Sequence, residues 1–364
     1  MNDHTRQWEI VSELLDESGL TDLYDSFPSP GSPWNDLQNL KKRLPASLYA
    51  ALVLMMAGKQ TEISELPETI VKLMEQLEYL GFARLNRGQA YLNGLSLYRY
   101  RGCWLIAECS RSSPTLYYGD DSVELASRLS PITGARALDL CTGPGVIAMV
   151  EAAAGMHVTG VDVNPVALEL LQANAYLNHV EDRVLPCKSN LFEALPDQQY
   201  ELITANPPLL PIPHGVPYPF VGDGGVYGLD LTLPILQAAS KYLTENGTLL
   251  IIGTTTMNGL EISQEESIRS NFEENGLEGT MSVMQSTSVQ EGSLWNSLIA
   301  ITSQEFASGC YHTREQALRA VTDGYHAMNV DGVCSFILRA KRGGCGMKML
   351  NYGEPYSNSL TWKM

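Results

Sequence analysis

Basic residues are scarce in this chain of 364 residues: Lys and Arg number 24 against 41 Asp and Glu, for a formal net charge of -17. No Lys/Arg cluster of the kind that tracks a phosphate backbone occurs, so DNA and RNA are disfavoured as partners. The one basic concentration is the stretch 335–364, where Arg339, Lys341, Arg342, Lys348 and Lys363 face only Glu354, and it reads as a solvated strand and tail. Metal-ligand patterns are missing too. The seven cysteines (103, 109, 141, 187, 310, 334 and 345) include no C-x-x-C and no Cys/His group at ligand spacing, so no metal site is expected. An odd cysteine count, no signal-peptide pattern and no apolar run near the ~20 residues of a membrane span point to a reducing, cytoplasmic setting with free thiols.

What is present is organised around residues 139–209. An apolar run over 136–140 leads into Asp139-Leu140-Cys141-Thr142-Gly143-Pro144-Gly145, and a small-residue helix is expected over 146–154. Strand, tight glycine turn and helix N-terminus in that order make a nucleotide-binding corner. Gly143 and Gly145 let the backbone turn and approach a ligand closely, and the next strand, 158–161, ends on Asp162, a carboxylate placed for two ribose hydroxyls. Gly143 to Ala148 also fits the dinucleotide pattern G-x-G-x-x-A. Asp139 ahead of the turn, and a strand over 200–205 running into Asn206-Pro207-Pro208-Leu209, separate the two readings.

These motifs together resemble those of the class I S-adenosylmethionine (SAM) methyltransferases, in the branch that methylates nitrogen. They are most similar to the HemK-like glutamine N5-methyltransferases and the methyltransferase small domain proteins. Asn190-Leu191-Phe192-Glu193 is similar to the D-L-F-E segment of that family, and Gly222 to Asp230 to its G-G-x-x-G-L-D segment. Cys141 stands where glycine is common, and Leu209 where an aromatic ring usually closes the acceptor pocket.

The resemblance implies an α/β, Rossmann-like, seven-stranded sheet and SAM as methyl donor, with S-adenosylhomocysteine as product. By position it implies cofactor contacts from Asp139, Cys141, Thr142, Gly143, Gly145, Asp162, Val163, Asn164, Asn190, Leu191 and Asn206. It gives Asn206 and the carbonyl of Pro207 the catalytic role of accepting the N–H bonds of the acceptor. Tyr118, Pro208, Leu209 and His214 become substrate-side candidates, His214 being either a base or a solvated loop side chain. Asp120 and Asp121 are pocket candidates as well, although the preferred reading makes them the N-cap of the helix that follows.

Around this centre, residues 1–97 read as a mostly helical, winged-helix-like accessory domain. It has an amphipathic helix before Ser26, a proline-rich break over 27–33, two helical patterns over 37–57, a helix over 68–80 and a hairpin across Asn86-Arg87-Gly88. Its would-be recognition helix carries Glu68, Glu75 and Glu78 against Lys72 alone, which leaves a substrate lid, a homodimer surface or a structural cap as its role. Residues 98–342 read as the methyltransferase domain and 343–364 as an unassigned tail. Helices are expected over 165–178, 231–243, 263–275 and 313–328, and strands over 183–187, 248–253 and 279–288, with Asn246-Gly247 as a turn. The last sheet strand is either 294–302 or, preferably, 334–341. The Pro- and Gly-rich stretch 210–230 reads as an active-site loop. The function expected is N-methylation of an amine or amide on a small metabolite, peptide or protein side chain. The alternatives are nucleic-acid base N-methylation and a non-catalytic SAM-binding regulator.

Overall fold

The computed structural model of the protein describes residues 3–27, 37, 39–109 and 114–353. The proline-rich break, from Pro28 on, and the far tail from Glu354 lie outside the described residues. Apolar spacing at Trp8, Val11 and Leu15 makes α1 (Asp3–Glu17), and Gly19, at φ 74°, turns the chain into α2 (Leu20–Asp25). The apolar α3 (Ala46–Ala57) is followed by β1 (Thr61–Glu62), a short 3-10 turn, and α4 (Glu68–Tyr79). The expected hairpin is β2 (Arg84–Asn86) with β3 (Gln89–Tyr91), and β3 also pairs with β1 to complete a small antiparallel sheet. Positive φ at Arg87 and Gly88 gives the turn the twist that hairpin strands require.

A second hairpin, β4 (Leu95–Tyr100) and β5 (Cys103–Glu108), joins the two halves. The expected domain break at 97/98 falls inside β4, because this ribbon is shared: Leu97, Trp104 and Ile106 enter the N-terminal core, whereas Tyr98, Leu105 and Ala107 face the other way into the core against the large sheet. The rest runs α5 (Asp120–Ser127), β6 (Arg136–Leu140), α6 (Val146–Ala153), β7 (His157–Asp162), α7 (Pro165–Leu177), β8 (Val184–Lys188), β9 (Tyr200–Ala205) and α8 (Thr232–Tyr242). It continues with β10 (Leu243–Asn258), β11 (Glu261–Ile262), α9 (Glu265–Glu274), β12 (Leu277–Ser288), α10 (Leu294–Phe306), α11 (Arg314–Ala327), β13 (Gly332–Arg342) and β14 (Gly346–Asn351).

These strands build one mixed sheet in the order β14-β12-β13-β10-β9-β6-β7-β8, with β11 attached to β10. The sheet therefore has nine strands rather than the seven expected. The extra edge comes from the segment read as a tail, since Gly346–Asn351 pairs in parallel with β12 and buries Met347. The preferred final strand is the one used: β13 lies antiparallel between β10 and β12, and 294–302 is helical instead. Asn246-Gly247 is an irregularity within β10, where the register against β9 shifts between Leu243 and Thr248.

From β6 the chain steps outward through β7 to β8, then returns to the other side of β6 as β9. Loops leaving the carboxyl ends of β6 and β9 consequently diverge, which opens a crevice at this switch point. The N-terminal core packs onto α7 through Ala167, Leu170, Ala173 and Leu177. Buried Asn174 on α7 accepts from Ile106 N–H (2.7 Å) and donates to the carbonyls of Ile106 (2.9 Å) and Pro144 (2.8 Å), and so ties the hairpin to the glycine turn.

Candidate active site

The crevice is a cavity of about 670 Å³, large enough for a nucleoside-sized donor and part of a second molecule. Its floor is the glycine turn. Cys141, Gly143 and Gly145 all have positive φ (55°, 53° and 91°), so Cys141 holds a left-handed conformation that glycine adopts without cost. A side chain on Gly145 or Gly160 would collide with Leu171, which fixes how closely α7 approaches the turn. Thr142 N–H donates to Val161 O (2.9 Å), and Gly143 N–H donates to Asp162 Oδ2 (3.0 Å). Asp162 Oδ1 accepts from Asn164 N–H (2.9 Å), whose side chain in turn caps α7 by accepting from Val166 N–H (3.0 Å). Burial raises the pKa of Asp162 while these backbone donors oppose the shift.

Asp139 does not reach the cavity. It is fully buried beneath the turn, where Oδ2 accepts from the Thr142 hydroxyl (2.6 Å) and Oδ1 from the Thr204 hydroxyl (3.0 Å). The expected cofactor contact is therefore replaced by a supporting one, because the side chain of a residue two positions before the turn points down into the sheet. The same Thr204 oxygen lies 3.2 Å from Glu151 Oε1. One hydroxyl proton cannot serve two carboxylates, so one of the pair carries a proton of its own. Burial raises both carboxyls above the usual carboxylate range, Glu151 further by the neighbouring Asp139 charge. Glu151 was not singled out from sequence; a Glu within the small-residue helix 146–154 was the available signal.

Of the other expected residues, Tyr118, Cys141, Thr142, Gly143, Asp162, Val163, Asn164, Asn190, Leu191, Asn206, Pro207, Pro208 and Leu209 all line the cavity. Tyr118 stacks on Tyr98 with ring centroids 4.0 Å apart. Asn190 donates its Nδ2 to Glu193 (2.7 Å), which leaves its carbonyl for the cavity. His214 is exposed and does not line the cavity, because the 210–230 loop folds back on itself through Leu210–Gly222 and Ile212–Gly225 backbone bonds (both 2.9 Å). None of the described residues in 1–97 lines the cavity, and the N-terminal core packs against α7.

Two features were read differently from sequence. Asp120 and Asp121 do not cap α5: the cap position is Gly119, without a side-chain bond, and both aspartates lie in the first turn with Asp121 buried. The far wall is α10, which contributes Trp295, Leu298, Ile301 and Thr302 opposite Tyr218 and Phe220 of the loop. Its helical signal was legible, with Ser293 as N-cap (Oγ accepts from Asn296 N–H, 3.1 Å) and apolar residues at 294, 295, 298 and 299.

Asn206 sits where these parts meet. Its Nδ2 donates to Ser122 Oγ (3.0 Å) and its side chain also bonds the Asp121 carboxylate, whereas its Oδ1 is buried with no hydrogen-bond partner in the structure. A buried acceptor left open at a cavity wall is costly unless a ligand completes it.

Residues 120–275, which contain the glycine turn, Asp162 and the Asn206 corner, match the family model described as methyltransferase small domain. Similar curated proteins include two named ribosomal protein uL3 glutamine methyltransferase. That of Bordetella pertussis is 37% identical over 131 residues, 33% of this chain and 44% of the relative. That of Xanthomonas campestris is 42% identical over 125 residues, 32% of this chain and 40% of the relative. The match thus spans less than half the length of these relatives. Among solved structures, a ribosomal protein L11 methylase from Lactobacillus delbrueckii is 15% identical with a TM-score of 0.34, over 61% of this chain and 77% of the other. The α10–α11 wall of the cavity lies beyond the part of the chain that matches the methyltransferase small domain.

Proposed function

We propose that the protein is a SAM-dependent N-methyltransferase whose acceptor is a side-chain amide nitrogen of a protein. The observation that carries this reading is Asn206, which lines the cavity and whose Oδ1 is buried without a hydrogen-bond partner. An amide nitrogen is a weak nucleophile whose N–H bonds become more acidic as its lone pair is used. Preorganised acceptors therefore stabilise the charge that builds on it.

The cavity residues fit the methyl donor. Asp162 retains lone pairs for ribose hydroxyls, Asn190 has a free carbonyl for an exocyclic amine, and the bare face of Gly143 permits close approach. SAM when bound supplies a methyl group already activated on a sulfonium. The protein's task is to align the acceptor nitrogen with it: the Asn206 Oδ1 and the Pro207 carbonyl take the two N–H bonds and point the lone pair at the methyl. Pro207 and Pro208 have no N–H to compete for those bonds.

Leu209, buried at the cavity edge, offers apolar packing rather than ring stacking, which suits an aliphatic amide better than a heteroaromatic base. Among the described residues no Lys, Arg or His lines the cavity, whereas Asp120, Asp121 and Asp162 do, and these carboxylates repel a phosphate-bearing substrate. The names of the uL3-modifying relatives agree with an amide acceptor.

The reading is tested by incubating the protein with tritiated SAM and, separately, purified ribosomal proteins, glutamine-containing peptides and tRNA. Label on a glutamine, located by fragmentation mass spectrometry, is the expected result. Label confined to tRNA, or none with any pool, contradicts it.

A further inference from the structure

Resting on that functional reading, we infer that Asp121 is a positioning residue: together with Ser122 it sets which end of the Asn206 carboxamide faces the acceptor. Both residues belong to the first turn of α5, far from Asn206 in sequence, and both are buried (4% and 6% exposed). The Asp121 carboxylate receives the Asn206 side chain and the Tyr117 hydroxyl, and its Oδ1 accepts from Ser122 N–H (2.7 Å). Ser122 Oγ takes the Asn206 Nδ2 at 3.0 Å. A carboxamide has two N–H donors on one end and only a carbonyl on the other. With the donor end held by α5, the other end of the amide, Oδ1, is the one left buried without a hydrogen-bond partner.

Electrostatics fixes the choice. Turning the amide over would set its carbonyl against the Asp121 carboxylate and leave the N–H groups at the cavity, where they would repel the N–H groups of an acceptor. The arrangement holds only while Asp121 is ionised. A protonated Asp121 is itself a donor and can hold the carbonyl of Asn206 instead, which reverses the amide. Burial pushes the Asp121 carboxyl up to about 6, opposed by its bonds from Ser122, Asn206 and Tyr117 and assisted by the neighbouring Asp120. The other titratable groups on this side are Tyr218, across from Tyr117, and Glu124, one turn along α5 and paired with Arg128 (2.8 Å). Neither Tyr117 nor Tyr218 ionises in the range concerned, since burial raises both.

The test reads the amide directly. In protein labelled with 15N-asparagine, the Asn206 side-chain resonances are assigned by their loss in Asn206→Asp. In the parent they should shift with pH about a midpoint near 6, the value set by Asp121. They should stay fixed in Asp121→Asn. Asn206 side-chain resonances that are the same in the parent and in Asp121→Asn at every pH overturn the inference, whatever the activity. Kinetics on a glutamine-containing peptide adds a second arm. Asp121→Asn should lower kcat on the order of a hundredfold, the scale of a misaligned reacting group, and abolish its rise with pH, with SAM affinity by calorimetry unchanged. Ser122→Thr should retain activity, and Ser122→Ala should lose about tenfold. An Asp121→Asn variant that binds SAM normally and keeps parental kcat refutes the positioning role. Absence of glutamine methylation in the parent instead refutes the functional reading, and the titration still decides the inference.

Discussion

The backbone N–H of Gly143 donates to Asp162 Oδ2 at 3.0 Å, so the turn after β6 and the end of β7 are held by the carboxylate assigned to the ribose. Asp162 thus shapes the pocket proposed for the donor. Asp162→Ala removes two charge-assisted bonds to ribose, each worth ~1.5 to 3 kcal/mol, and frees the turn. SAM affinity by calorimetry should fall at least about a hundredfold; unchanged affinity, or tight NAD binding by the parent, contradicts the donor assignment.

The buried pair of Asp139 and Glu151 makes stability depend on pH. Both carboxyls have folded pKa values above those of the unfolded chain, so the folded state binds the extra proton. Their contribution is full below about pH 4 and is lost as pH rises through the raised values. Glu151→Gln keeps a neutral group able to donate to Thr204 and removes the ionisation. Denaturant melts should show little change at pH 5 and a gain on the order of 1 kcal/mol or more at pH 8. A loss at both pH values would mean that Glu151 is ionised in the native protein.

The acceptor wall is fastened by a short chain of bonds. Trp295 Nε1 donates to the Tyr325 hydroxyl (2.8 Å), which donates to Pro211 O (2.6 Å). Tyr325→Phe leaves two buried polar groups without a partner, at about 1 to 3 kcal/mol each. The variant should melt earlier and show a raised acceptor KM with unaltered SAM affinity. An unchanged KM would separate α11 from the acceptor side.

The half of the fold that carries the large sheet was legible because its signals are local. Glycine and proline punctuate each loop, the strands are short apolar runs, and Asn164-Pro165 starts α7 as its cap chemistry requires. What escaped depends on encounters between distant segments. Gly346–Asn351 became a strand only because β12 offers it an edge. Asp121, readable with Asp120 as a cap by position, bonds Asn206 instead, as does Ser122, 84 residues before it. The apolar stretch 294–302, read only as a possible strand, is a helix because of its Ser293 cap and its buried face at Trp295 and Ile299.

The most direct measurement compares single-turnover methyl transfer by the parent, Asn206→Ala and Asn206→Asp on a glutamine-containing acceptor, with SAM affinity measured alongside. Asn206→Ala deletes the open acceptor at the cavity wall, so turnover should fall by roughly two to three orders of magnitude with SAM affinity retained. Asn206→Asp keeps an oxygen facing the acceptor and should retain more activity than Ala. Parental rates in both variants would contradict the account, because the Asn206-Pro207-Pro208-Leu209 corner would then be a structural turn and the assignment of nitrogen transfer would fall with it.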